Sequence, residues 1–109
     1  MPTTYKVLAQ SKPTANTATT FYTVPSATQT VVSTLVISNL TLDLTNVRVA
    51  VRPAGESIAD KHYIIYDQSI AGFQVMAFTL GITLGATDVI TITDSAGKCS
   101  FNLFGSEIS

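Results

Sequence analysis

The sequence predicts an all-β protein, a single antiparallel β-sandwich of about eight strands in a jelly-roll or immunoglobulin-like arrangement. Three observations predict this fold class. Apolar and polar residues alternate with the period of two that is typical of half-buried strands, and no stretch sustains a helical period. Turn-forming residues recur at intervals of roughly ten residues, as they do in sandwiches and barrels. The 109 residues are enough for one domain with one modest core.

Four strands are predicted in the first half of the chain. The first, Tyr5–Ala9, is followed by an extended segment, Gln10–Ala18, that is rich in Ser, Thr and Pro. We therefore divide the chain into an N-terminal strand and arm over residues 1–18 and a sandwich domain over residues 19–109. An arm of this composition is expected to become ordered by lying along a neighbouring subunit or by adding a strand to its sheet. The other three strands are predicted at Thr19–Val24, at Thr30–Asn39 and around Val47, Val49 and Val51.

Four more strands are predicted in the second half. They are Lys61–Asp67, Phe73–Leu80, Asp88–Thr93 and Lys98–Phe104. The last two flank Asp94–Gly97, which has the composition of a hairpin turn. Gly81–Gly85 is predicted to be a wide connection, and Gly105–Ser109 a short tail.

The chain is poor in charge. Charged residues make up 12% of it, with a net charge of −1, and the six Lys and Arg residues are scattered along the sequence. A binder of nucleic acid needs a basic surface for the phosphates, so we expect no nucleic-acid partner. No apolar run approaches the length of a membrane span, and the first residues lack a signal-peptide pattern, so we expect synthesis in a cytoplasm and no membrane partner. A surface with so little charge is poorly protected against association, which favours a structural component over a diffusing enzyme.

The sequence predicts no catalytic, metal or cofactor site. His62 is the single histidine, and we expect it to be a half-buried strand residue. One histidine and one cysteine cannot complete a common zinc site. Cys99 alternates with Phe101 and Leu103, which predicts a small buried core residue. An aromatic platform for a sugar is conceivable, although core packing is the simpler expectation for residues on strands. Its members would be Tyr22, Tyr63, Tyr66 and Phe78.

Two segments are predicted to contact a partner. The loop between Asn39 and Thr45 carries Leu40, Leu42 and Leu44, more leucine than a free loop should expose. The second segment combines a turn with a dense group of charges in a charge-poor chain, and Arg52 is expected to bind a partner carboxylate there. Its predicted interface residues are Arg52, Pro53, Gly55, Glu56 and Lys61.

Several segments resemble small virion structural proteins of tailed bacteriophages, notably those that infect cyanobacteria and marine bacteria. The most specific are VAVRPAG, KHYIIYD and the closing FNLFGSEIS, and the resemblance runs over nearly the full length. It implies a non-enzymatic β-sandwich module that binds other virion proteins. The chain departs from the resemblance at Leu40–Leu44, where small residues would be expected.

These observations predict a virion protein that decorates the major capsid shell, where many weak contacts sum by multivalency. A tail, neck or fibre adaptor is the main alternative, and a carbohydrate-binding module for host attachment is a second. The apolar loop and the low charge further predict a homo-oligomer, a trimer with a dimer as the alternative.

Overall fold

Nine β-strands make up the fold of residues 2–109, the part of the chain that the computed structural model describes. They are β1 (Thr3–Ser11), β2 (Thr19–Thr23), β3 (Gln29–Asn39), β4 (Thr45–Arg52), β5 (Tyr63–Ile70), β6 (Val75–Phe78), β7 (Thr83–Leu84), β8 (Val89–Asp94) and β9 (Cys99–Ile108). Two single 3-10 turns, Pro53–Gly55 and Asp60–His62, lie between β4 and β5. The fold class predicted from the sequence is confirmed.

The strands form two antiparallel sheets whose order is that of a jelly roll. Sheet A has the order β1-β9-β3-β6, with the short β7 also pairing with β3, and sheet B has the order β2-β8-β4-β5. Apart from β7, the first strand thus pairs with the last, the second with the next to last, and so on inward to the β4–β5 pair. This nested pairing identifies the jelly-roll arrangement rather than the immunoglobulin-like one. The alternation pattern left both open, because strand order depends on contacts between residues far apart in the sequence.

The core lies between the inner faces of the two sheets. Sheet A contributes Leu35 and Ile37 from β3 and Phe101 and Leu103 from β9, all buried. The facing residues of sheet B are buried to the same degree: Val47, Val49, Ile90 and Ile92. Phe21 of β2 meets Phe101 edge to face, with ring centroids 6.2 Å apart, so an aromatic contact joins the sheets.

Cys99 is a buried, free thiol at the start of β9, as its alternation with Phe101 predicted. Burial and the neighbouring Asp94 carboxylate raise the pKa of the thiol to about 12. The nucleophilic thiolate is therefore negligible at neutral pH.

A second contact between the sheets is polar and lies at their rim. The Tyr22 hydroxyl of β2 donates to Glu107 Oε2 of β9 at 2.5 Å and lies 2.8 Å from Thr30 Oγ1 of β3. Lys6 of β1 reaches the same carboxylate at 3.2 Å. Burial and the contact with Glu107 raise the pKa of Tyr22 to about 12, and the same hydrogen bond lowers the pKa of Glu107. The network thereby joins one strand of sheet B to three strands of sheet A.

The N-terminal segment differs from the expectation of an arm on a neighbouring subunit. β1 pairs with β9 of the same chain from Thr3 to Ser11, with one bulge between Val7 and Ala9. Leu8 and Ala9 pack against the core, so burial of apolar surface stabilises β1 on its own chain. β1 is thus an edge strand of sheet A.

Three further boundaries differ from the predictions. Gly105–Ser109 is largely strand, because β9 continues to Ile108 between β1 and β3. The predicted connection Gly81–Gly85 contains β7, which pairs with β3 at only two positions. Lys61 and His62, predicted as the start of a strand, belong to a 3-10 turn, and His62 is buried.

Asp94 is a fully buried carboxylate that organises the turn from β8 of sheet B to β9 of sheet A. Its oxygens accept hydrogen bonds from the backbone amides of Ala96, Lys98 and Cys99, at 2.7–3.1 Å, and from the Thr45 hydroxyl. Burial acts to raise the pKa of Asp94, but these donors outweigh it and the pKa is lowered. The turn predicted at Asp94–Gly97 is therefore built around an ionised side chain. The hairpin predicted there is wrong, because β8 and β9 belong to different sheets and do not pair with each other.

We predict that Asp94→Asn lowers the free energy of unfolding at pH 7 by about 2–4 kcal/mol, because an amide nitrogen would face buried N–H donors. The folded-state pKa of Asp94 is below the unfolded value of about 3.9, so the carboxylate stabilises the fold above that pH. The stabilisation disappears as the pH falls through the folded-state pKa. Urea unfolding at neutral and acid pH measures both effects, with the exposed Asp43→Asn as the control. An equal deficit at both pH values would contradict the assignment.

Candidate functional site

Arg52 holds the turn that follows β4. Its Nε donates to Thr91 Oγ1 at 3.0 Å, and its Nη1 donates to the carbonyl oxygens of Glu56 at 2.9 Å and Gly55 at 3.4 Å. The turn needs this support, because Ala54 and Gly55 have positive φ of 53° and 71°. The side chain predicted to bind a partner carboxylate therefore uses Nε and Nη1 within its own chain.

Glu56 and Lys61 lie together at the surface beside this turn, whereas His62 is buried under it. Glu56 Oε1 is 3.6 Å from Lys61 Nζ and 3.4 Å from His62 Nε2. His62 Nδ1 accepts the backbone N–H of Ala59 at 3.0 Å. Through these two contacts, the imidazole stabilises the loop between β4 and β5. The five predicted interface residues of this segment are brought together, but Arg52 serves the loop's own shape.

The leucine loop, Leu40–Leu44, is held rigid by the buried Asn39. Asn39 Nδ2 donates to the carbonyl oxygens of Asp43 at 2.6 Å and Ile70 at 3.1 Å, and its Oδ1 accepts from the backbone N–H of Thr41 at 2.9 Å. Gly72 packs against the loop so closely that a Cβ there would lie 2.2 Å from the Leu42 carbonyl oxygen. An exposed loop with this many internal contacts is preorganised.

The leucines of this loop point away from the core. Leu40, Leu42 and Leu44 are all more than half exposed, and Leu42 is 80% exposed. Phe73, whose backbone N–H donates to the Thr41 carbonyl oxygen at 2.9 Å, is exposed beside them. The loop therefore presents apolar side chains on a fixed backbone, which typically marks a contact surface.

A cleft of about 380 Å³ lies on the sheet B side of the molecule, lined by Asp60, Tyr63 and Tyr66. The two tyrosine rings meet edge to face with centroids 5.0 Å apart. Arg48 lies over the Tyr66 ring at 4.2 Å and forms a two-point ion pair with Asp67, at 2.6 and 3.2 Å. Of the aromatic platform considered from the sequence, Tyr63 and Tyr66 share this tyrosine cleft, whereas Tyr22 is in the core and Phe78 packs against it.

A larger surface, the outer face of sheet A, carries no charged residue in the described part of the chain. Strand register and the burial pattern identify its members. They are Thr3, Tyr5, Val7 and Gln10 of β1, Ser100, Asn102, Phe104, Ser106 and Ile108 of β9, Gln29, Val31, Ser33, Thr34, Val36 and Ser38 of β3, Val75 and Ala77 of β6, and Thr83 of β7. We call this surface the neutral face.

The charges of sheet A and sheet B are distributed unequally. The outer face of sheet B carries Arg48 and Arg52, and Asp67 lies beside Arg48. In sheet A, Lys6 and Glu107 turn to the rim and pair with each other. Sequence analysis found the overall charge deficit but missed the neutral face, because its residues come from five strands spread over the whole chain. Within each of these strands, the absence of charged residues from the outward-facing positions could have been seen in the sequence.

Comparison with protein-family models and with curated proteins finds no match to this chain. Within residues 2–109, no helix has the length and apolar character that crossing a bilayer would require.

We predict that Arg52→Ala lowers the melting temperature, because it removes the donors that join the Gly55–Glu56 carbonyls to Thr91. The loss corresponds to about 1–2 kcal/mol of unfolding free energy. Thermal unfolding followed by circular dichroism measures it. Lys61→Ala is the matched control, since its exposed ion pair with Glu56 should leave the melting temperature unchanged. An unaltered melting temperature for Arg52→Ala would show that these contacts do not stabilise the fold. Arg52 would then remain a candidate for binding a partner carboxylate.

Proposed function

We propose that this protein is a non-enzymatic structural component of a tailed-phage virion, most simply a decoration protein bound to the outside of the major capsid shell. The jelly-roll strand order is the observation that carries the proposal. This architecture recurs in viral capsid domains and in lectins, although fold alone does not determine function. The sequence resemblance to phage virion proteins adds an independent argument.

The leucine loop is the proposed contact with the shell. A decoration protein must keep its fold both free in solution and bound, so its contact residues should be apolar without belonging to the core. Leu40, Leu42 and Leu44 meet that requirement, because Asn39 fixes their backbone while their side chains remain exposed. A preorganised loop loses little conformational entropy on binding.

A tail, neck or fibre adaptor is the alternative placement within the virion. Quantitative mass spectrometry of purified particles distinguishes the two by copy number relative to the major capsid protein. Decoration requires a number comparable with that of the capsid subunits, whereas a neck or tail component requires a small multiple of three or six. Absence of the protein from particles would reject both placements.

We predict that Leu42→Ser abolishes binding to capsid shells without lowering the melting temperature, because this side chain is 80% exposed and makes no core contact. Co-sedimentation of the purified protein with shells that lack it measures binding. Leu80→Ser is the matched control, a leucine that is 51% exposed in another loop. Equal binding by the two variants would show that the shell contacts a different surface.

Carbohydrate binding is a second candidate function, and the tyrosine cleft favours it. A cleft of about 380 Å³ is within the range of small-ligand sites, and an aromatic ring beside a carboxylate offers both a stacking surface and a hydrogen-bond acceptor for sugar hydroxyls. In a virion this site would serve attachment to a host surface glycan.

We predict that any glycan bound by this protein loses most of its affinity on Tyr66→Ala, since the ring that lines the cleft is removed. Glycan arrays followed by calorimetry on the best ligand measure the change. Tyr5→Ala is the control, because Tyr5 is exposed on the opposite sheet. No binding to a broad array, or binding that Tyr66→Ala leaves intact, would exclude the cleft as a sugar site.

A further inference from the structure

We infer that the neutral face packs against the same face of a second copy of this chain, forming a two-fold symmetric dimer. The inference stands apart from the virion proposal, because it concerns the purified protein alone. Sequence analysis predicted a trimer, with a dimer as the alternative, and the inference favours the dimer. Its interface is the neutral face and not the leucine loop.

The absence of charge is the first argument. In a two-fold interface every residue of a patch meets a residue of the identical patch, so charges of one sign near the axis would be brought together. A neutral patch avoids that repulsion and avoids burying unpaired charge. Surfaces designed to stay in water carry about 25–35% charged residues, and this chain carries 12% overall. The neutral face carries none, whereas the outer face of sheet B carries Arg48 and Arg52.

The composition of the face is the second argument. Val31, Val36 and Phe104 lie on the two central strands, β3 and β9, and Tyr5 and Val7 extend the apolar surface onto β1. Tyr5 is 84% exposed and Val31 40% exposed in the single chain. Uncharged polar residues lie between and around them, as Ser106 does between Tyr5 and Val31, and Gln10 Nε2 donates to Asn102 Oδ1 at 2.8 Å. A mixture of apolar and polar groups that lacks charge, with aromatic residues among them, is compatible with the core of a protein interface.

The area is the third argument. Four strands side by side, with β9 ten residues long, give a face of about 20 by 30 Å from ordinary strand spacings. The resulting area of roughly 600 Å² approaches the ~800 Å² that each partner contributes to a standard interface. Two twisted sheets pack face to face at about 10 Å in sandwiches, and the same geometry is open to two copies here.

Sedimentation velocity on the full chain, from below one micromolar to tens of micromolar, tests the dimer. We expect a species of twice the 11.6 kDa chain mass at the higher concentrations. Val31→Glu should raise the dissociation constant by at least about tenfold, because two like charges enter one neutral interface. Thr23→Glu places the same charge on the outer face of sheet B and should leave the dimer intact. Val31→Thr keeps the shape without charge and should also dimerise.

Each result is decisive when the melting temperature shows that the variant is folded. Tyr5→Glu, on an exposed edge position of the same face, replaces Val31→Glu if that variant does not fold. A wild-type monomer at tens of micromolar, a trimer, or a dimer that survives a folded Val31→Glu or Tyr5→Glu variant would overturn the inference. Failure here leaves the particle experiments unaffected, since those depend on the leucine loop and on copy number.

Discussion

The corner at which sheet B passes into sheet A depends on one buried carboxylate. Asp94 ends β8 in sheet B, and three of its hydrogen-bond donors belong to the turn and first residue of β9 in sheet A. The fourth, Thr45, is the first residue of β4. Burying an ionised carboxylate away from water costs free energy unless its oxygens accept hydrogen bonds, so these four donors must be positioned together. The contact with the Cys99 amide thereby fixes where β9 begins, between β1 and β3.

The jelly roll also determines which surfaces are available for binding. Loops such as Leu40–Leu44 connect the two sheets and lie at the ends of the sandwich, where they need not contribute to the core. The outer faces are separate surfaces that face away from each other. In this chain they have different chemistry, with ion pairs and tyrosines on one and neither Lys, Arg, Asp nor Glu on the other. The two outer faces are therefore chemically different surfaces.

The local sequence pattern was enough to predict where most strands lie, but not which strands pair with each other in a sheet. The positions of β2, β3, β4 and β8 were predicted to within about two residues, because runs of β-forming residues bounded by turn residues mark a strand without reference to its partners. β7 was missed because two residues give no period, and the end of β9 was missed because Gly105 interrupts the pattern. The contacts of Arg52 within its own chain were not predicted, because its acceptors, Thr91 and the Gly55–Glu56 carbonyls, are brought to it only by the turn and by pairing of β4 with β8. Contacts across the chain are not visible in a local pattern.

The position of β9 has a consequence for how the protein is made. β9 lies between β1 and β3, so β1 has no strand partner until residues 99–108 have been synthesised. Until then a nascent chain holds β1 and one edge of β3 unpaired. Such edges are prone to join those of neighbouring chains, and contacts that span the whole sequence also slow folding. Sheet A can therefore be completed only after β9 has been synthesised, and its unpaired edges are open to aggregation until then.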